Sequence, residues 1–219
     1  MEARLSMLAP ARKKRAFVRQ LPPRARLLDV GCGTGSPAFV KSLRPDIFYV
    51  GLDVADYFQT EESKARADRY IIAPPEKFDK AIEELAGDPF DAVISAHNIE
   101  HCFEPDRVLR AMCGSLRRGG KLFMSFPSEA SVNMPSRKGC LNFYDDKTHT
   151  TVPSWGGILR ALADGGMRLD FAAPRYRPAV GFLIGLAFEP FVAPFGRQAP
   201  RATTWALYGF ESIIWATKE

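Results

Sequence analysis

Short apolar runs alternate along the chain with segments whose apolar residues recur every three to four positions. The short runs predict strands near 26–30, 48–52, 69–73, 90–95, 121–126, 167–172 and 208–217. The longer period predicts helices near 3–20, 37–43, 76–86, 105–116 and 154–164. Punctuation agrees with this division: Pro22-Pro23 stops the first helix, Gly87 the third, Arg117-Arg118-Gly119-Gly120 the fourth and Gly165-Gly166 the last. Strand followed by helix, repeated, is the pattern of a mostly parallel sheet covered by helices on both faces. Two stretches depart from it. Residues 128–152 read as a loop insertion, and 174–204 is longer than a hairpin connection needs.

The first strand runs into Asp29-Val30-Gly31-Cys32-Gly33-Thr34-Gly35. Glycines without Cβ permit a tight turn and let a ligand lie against the backbone. Ser36 then reads as a helix N-cap, with Pro37 preset for the first turn. Strand, glycine turn and helix form the first crossover of a Rossmann-like sheet, which points to a nucleoside-containing cofactor at the strand's carboxyl end. No Gly-Lys-Ser/Thr follows, so a P-loop is excluded. A dinucleotide fingerprint would place glycine at 36, where Ser36 stands, although a small serine can serve there. Asp29 precedes the turn. Asp53 closes the second strand, where a carboxylate accepts hydrogen bonds from ribose hydroxyls.

Four stretches occur in order: D-V-G-C-G-T-G, G-L-D, F-D-A-V-I-S-A-H-N-I-E-H and L-R-R-G-G-K-L-F-M-S-F-P. Across roughly residues 25–127 they resemble the class I S-adenosylmethionine-dependent methyltransferases. The resemblance implies an α/β, Rossmann-like sheet of seven strands, mostly parallel, with the last strand antiparallel beside strand five. It implies S-adenosyl-L-methionine as cofactor. Gly31, Gly33 and Gly35, with Asp29 and Cys32 in the same loop, would line its methionine part, and Asp53 would hold its ribose. His97 and Asn98 would flank it. The family's acid near the adenine has no clear counterpart in Ala73-Pro74-Pro75-Glu76, so the adenine contacts stay open.

With a methyl group already activated on sulfonium, the protein's task is alignment and, for a hydroxyl acceptor, removal of a proton. Three histidines are available: His97, His101 and His149. A helical turn over 97–103 would put His97 and His101 on one face, a spacing open to a metal pair. The N-x-E-H-like segment is commonly seen without a metal in the family that it resembles, and no metal is expected. Residues 141–153 resemble the F-x-D-x-T-H stretch of bacterial methyltransferases that act on surface polysaccharides and sugar nucleotides. That resemblance implies His149 as substrate-binding residue or general base, oriented by Asp145 or Asp146. Glu100 and His101 are further candidates for the catalytic end, with packing of the turn after strand four as their alternative role. Phe143, Tyr144 and Trp155 are candidates to stack on an acceptor or to serve as core.

Composition changes this picture little. At 219 residues and 46% hydrophobic, the chain fits a single domain over 1–219. The net charge of +5 is concentrated: residues 1–26 carry eight basic side chains against Glu2. A basic helix over 1–24, with the apolar stretch Ala179–Phe188, suits peripheral contact with a membrane or an anionic or lipid-linked acceptor. Segment 174–204 reads as a lid, a dimer surface or an interfacial anchor, and the oligomeric state stays open. Four cysteines without a CxxC pair suggest neither disulfides nor zinc and fit a reducing cytoplasm. The first 26 residues have no secretory h-region, and no apolar run reaches a membrane span. The expected activity is methylation of a sugar, glycan precursor or related small molecule. The alternatives are RNA or protein methylation, a non-catalytic cofactor-binding regulator and, more distantly, a nicotinamide-dependent oxidoreductase. Nucleic acid is disfavoured because no separate RNA-binding module and no N-P-P-Tyr/Phe motif are present.

Overall fold

The computed structural model describes residues 12–56 and 59–219. Helix α1 (Lys14–Arg19) leads into β1 (Arg26–Val30), α2 (Ser36–Leu43), β2 (Phe48–Asp53), α3 (Glu61–Lys64) and β3 (Arg69–Ile72). Then follow α4 (Phe78–Leu85), β4 (Phe90–Ala96), α5 (Pro105–Ser115), β5 (Leu116–Pro127), α6 (Trp155–Asp164) and β6 (Met167–Ala173). The chain closes with α7 (Ala179–Val192), α8 (Thr203–Tyr208) and β7 (Glu211–Lys218). The seven strands lie in the order β3-β2-β1-β4-β5-β7-β6. All neighbours up to β5 are parallel, whereas β7 is antiparallel to both β5 and β6.

Alternation along each strand divides the core between the two faces. Leu28, Val30, Val93, Leu122 and Met124 pack under α4, α5 and α6, against Ile82, Leu109, Met112 and Leu162. Leu27, Tyr49, Ile94, Phe123 and Trp215 pack on the other face against Phe17 and Val18 of α1 and Val40 of α2. Burial of each large side chain is worth about 1.5–3 kcal/mol, so these layers fix the sheet that carries the site. The strand order reverses between β1 and β4, which opens a crevice at their carboxyl ends.

Several boundaries differ from the sequence reading. Of the helix expected over 3–20, α1 is the described part, and residues 1–11 lie outside the described residues. Ser36 is not the N-cap of α2. Gly35 takes that place at φ +75°, and the Ser36 hydroxyl instead accepts from Lys14 Nζ at 2.6 Å and donates to Asp29. β5 starts at Leu116 rather than 121: Arg117–Gly120 continues the strand through an irregularity opposite Phe90–Ala92. The last strand begins at Glu211, since residues 203–208 coil into α8 and Gly209 ends that helix at φ +66°. Segment 174–204 holds a helix that the sequence reading did not assign. Gly181 and Gly185 let α7 approach α8 closely: a Cβ at Gly185 would lie 2.3 Å from the Thr203 carbonyl oxygen.

Candidate active site

The glycine loop is built by its neighbours. The N–H groups of Gly31 and Cys32 donate to the Leu52 carbonyl at the end of β2. Gln59 spans the turn, accepting from Gly35 N at 2.6 Å and donating to Gly33 O at 2.7 Å. The Asp53 carboxylate accepts from Gly33 N at 2.6 Å and Val54 N at 2.7 Å. Burial pushes the Asp53 carboxyl up, against these N–H groups, which favour its charged form. Gly31 must lack a side chain: it sits at φ +68°, and a Cβ would lie 2.3 Å from the Asn98 amide oxygen.

Above this loop lies a cavity of about 610 Å³. Gly31, Gly33 and Asp53 line one end. His97, Asn98 and His101 line another side, with Thr148 and Thr150 beside them. Glu76, Asp79 and Glu104 add three carboxylates, and no Lys or Arg lines the cavity among the described residues. Such a wall favours a cationic ligand. A Cβ on Gly33 would meet nothing within 4 Å, so bare backbone leaves that cradle free. Glycine cradle, Asp53 carboxylate and acidic wall together fit a cationic sulfonium nucleoside.

The turn after β4 is held by charge. His97 adopts φ +51° and lies between two carboxylates: Nδ1 is 3.2 Å from Glu100 Oε1, and Nε2 is 3.1 Å from Glu211 Oε1. Desolvation disfavours its charged form, but the Glu100 and Glu211 carboxylates prevail and hold its pKa up to about 10. Glu211 is desolvated too, yet His97 and Lys13 bring it down to about 2. Glu100 is buried, with Oε2 unpartnered. Its carbonyl accepts from Thr150 N at 2.9 Å, which ties the 128–152 loop to this turn.

Residues 28–122 match the model of a family described as a methyltransferase domain. That stretch is thus similar to methyltransferase domains, and the fold around it is that of S-adenosylmethionine-dependent methyltransferases. A ubiquinone biosynthesis O-methyltransferase from Xanthomonas axonopodis pv. citri is 32% identical over 127 residues, covering 55% of this chain and 51% of its own length. The 27-O-demethylrifamycin SV methyltransferase of Amycolatopsis mediterranei is 30% identical over 132 residues, covering 54% and 46%. The chain thus spans about half the length of these curated relatives. The fold extends further than the sequence match. A SAM-dependent methyltransferase from Archaeoglobus fulgidus superposes with a TM-score of 0.59 at 16% identity, over 93% of this chain and 90% of its own. One from Mesorhizobium loti gives 0.58 at 17%, over 93% and 96%.

Within this fold, the candidate residues divide. Gly31, Gly33, Asp53, His97, Asn98 and His101 line the cavity. Gly35 shapes the loop one step behind. Asp29 is buried beneath it, accepting from Lys14 Nζ at 2.8 Å, Ser36 Oγ and the Tyr49 hydroxyl at 2.8 Å, so it braces the loop from below. Cys32 also points away from the cavity, to within 3.1 Å of where a Cβ on Gly51 would lie. Burial, then the charges of Asp29 and Asp53, pushes its thiol well up. The face shared by His97 and His101 is not a metal pair, because both His97 ring nitrogens are engaged by carboxylates.

His149 stands behind His101 rather than on the cavity wall. Its ring lies 4.9 Å from that of His101 and 4.5 Å from that of Phe143, and its side chain is 5% exposed. Asp146 is its acidic neighbour, with Oδ2 3.8 Å from Nε2. Asp145 faces elsewhere, toward Ser136 and the N–H groups of Arg137, Leu141 and Asn142. Phe143 is buried beneath His149 and Trp155 packs on Phe126, so neither lines the cavity. Phe103, 69% exposed at the rim, does so instead. Sequence reasoning missed Phe103, Gln59, Glu211 and the acids Asp79 and Glu104. No local signal marks them: Gln59 and Glu211 act through partners distant in sequence, and Phe103, Asp79 and Glu104 matter only through the cavity to which the fold brings them. Glu76 lay in the stretch left open for the adenine.

Proposed function

We propose that this chain methylates a hydroxyl of a small molecule or glycan precursor. When bound, S-adenosylmethionine supplies a methyl group on sulfonium. The observation that carries the reading is one cavity with the glycine cradle and Asp53 at one end and the His101 imidazole at the other. Gly31, Gly33 and Asp53 hold the cofactor, and Asn98 and His97 shape its side wall. Glu100, His101 and His149 deal with the acceptor hydroxyl: His101 faces it, while Glu100 and His149 support His101 from behind. Two relatives whose names specify methylation at oxygen support an oxygen acceptor. The acidic wall favours an uncharged acceptor over an anionic one, and RNA phosphates would find no cationic partner there.

A membrane-held acceptor draws support from α7. Val180, Leu183, Leu186 and Phe191 are all more than half exposed on it, with Phe195 just beyond. No described helix is long and apolar enough to cross a membrane, so α7 would rest on a bilayer surface.

Calorimetric titration with S-adenosylmethionine, followed by methyl-labelling of a panel of hydroxyl compounds and lipid-linked glycans, tests the reading. Saturable cofactor binding with label on oxygen supports it. Absence of cofactor binding, or label found only on nitrogen, overturns it.

A further inference from the structure

The turn Ile99–His101 and the loop following Phe143 bring one carboxylate and two imidazoles together. One donor atom from each of Glu100, His101 and His149 lies within 4.8 Å of the others. The remaining atoms of these groups are already engaged, which shows which donors are free. His149 Nδ1 is 2.6 Å from the Phe143 carbonyl oxygen. A carbonyl only accepts, so Nδ1 carries the proton and Nε2 the lone pair. His101 Nδ1 is 3.1 Å from both the carbonyl and the hydroxyl oxygen of Thr148. That hydroxyl gives its own proton to Asp146 Oδ1 at 2.6 Å, so it too accepts from His101. In the neutral form both imidazoles therefore present an unprotonated Nε2. On Glu100, Oε1 faces His97, and Oε2 is fully buried with no partner.

We propose that Glu100, His101 and His149 bind a divalent first-row transition ion. Two neutral imidazoles, each anchored through Nδ1, and one carboxylate make a donor set suited to such an ion. The anchors are the outer hydrogen bonds that orient metal-binding histidines. The ion would meet the Glu100 oxygen that has no donor. Bonds of about 2.0–2.1 Å need donors closer than they stand here, so the loop carrying His149 draws in on binding. Asp146, beside His149 Nε2, adds negative charge at the edge. This departs from the expectation of no metal, which considered the pair His97 and His101 and could not see that His149 replaces His97.

His101, Thr148 and Thr150 line the cavity, so an open position on the ion faces the acceptor end. There it would take an acceptor oxygen and lower the pKa of its hydroxyl. That role rests on the function proposed above; binding of the ion does not.

The test uses the untagged full chain, stripped with a chelator and titrated with Co²⁺ while visible absorption is followed. A parallel calorimetric titration uses S-adenosylmethionine. One Co²⁺ per chain with ligand-field bands, and a melting temperature raised by the ion, is expected. His101→Gln and His149→Gln should weaken binding at least about a hundredfold, and Thr148→Val about tenfold. Glu100 is buried, so Glu100→Gln is informative only if it melts cooperatively; His101 lies at the rim, and its variant decides the matter otherwise. No saturable binding at millimolar Co²⁺ or Zn²⁺, or variants that bind like the parent, overturns the site. Cofactor binding without ion binding refutes the metal alone. Ion binding without cofactor binding refutes the function and leaves the site standing.

Discussion

The two ends of the cavity are built differently. The cofactor end is made of backbone: Gly31, Gly33 and Gly35 in one short loop, closed by Asp53 and clamped by Gln59. The end proposed for the acceptor is made of side chains from the turn after β4 and the 128–152 loop, with the turn braced from the start of β7 through Glu211 and His97. A backbone site tolerates little change at its glycines, whereas a side-chain site can be altered one group at a time. Damage should therefore abolish binding at the first end and alter chemistry at the second.

The largest expected effect is at Gly31. Gly31→Ala forces a side chain into φ +68° and onto Asn98, a strain of about 1–3 kcal/mol before the clash is counted. S-adenosylmethionine affinity should fall at least about a hundredfold, measured by calorimetry, since 1.4 kcal/mol is a tenfold change. Near-parental affinity would break the contrast. Next comes His149→Asn, expected to cut turnover by about a hundredfold or more while the cofactor Kd stays within about twofold of the parent. Equal losses in both would mean that the two ends are not separable. Asp53→Asn is the converse and smaller change: cofactor affinity should drop roughly tenfold, the size of one charged hydrogen bond, with turnover at saturation little altered.

The carboxylate–imidazole–carboxylate arrangement around His97 sharpens the comparison through pH. The folded pKa of His97, about 10, is above its ordinary 6.5, so its contribution to stability is full below 6.5 and is lost as pH rises through 10. Glu211, at about 2 against 4.5, contributes fully above 4.5 and loses that contribution as pH falls toward 2. Melting temperature should decline on both sides of neutrality, and Glu211→Gln should flatten both limbs. An unchanged pH profile would show that these charges do not hold the turn. The smallest effect belongs to α7. Leu183→Gln with Phe191→Ser should leave cofactor affinity and stability nearly unchanged, within about 0.5 kcal/mol, yet reduce flotation with anionic liposomes.

The same contrast explains what could be read from the sequence. β1, the glycine loop and Asp53 are local: period, punctuation and spacing place them within one crossover, and the structure has them there. At the other end, the sequence reading picked out His149 and His101 but not their arrangement. It put His149 foremost, whereas His101 lines the cavity and His149 packs behind it. It could not choose between Asp145 and Asp146, because that choice turns on which side chains meet Ser136 and Thr148. The Glu211 contact spans more than a hundred residues and has no local trace. Nor did the pattern reveal α7, whose apolar residues surround the helix instead of marking one stripe.

The central placement of β7 also sets the order of events during synthesis. β6 leaves the ribosome before its only neighbour in the sheet exists, because β7 later takes the position between it and β5. Until residues 211–218 emerge, β5 keeps an unpaired edge, Trp215 cannot reach the Arg12 carbonyl and His97 lacks its second carboxylate. A nascent chain stalled short of Glu211 would thus expose open sheet edges of the kind that chaperones protect and that misassembly exploits. Long-range pairing of β7 and completion of the contacts around His97 would then be a single late event.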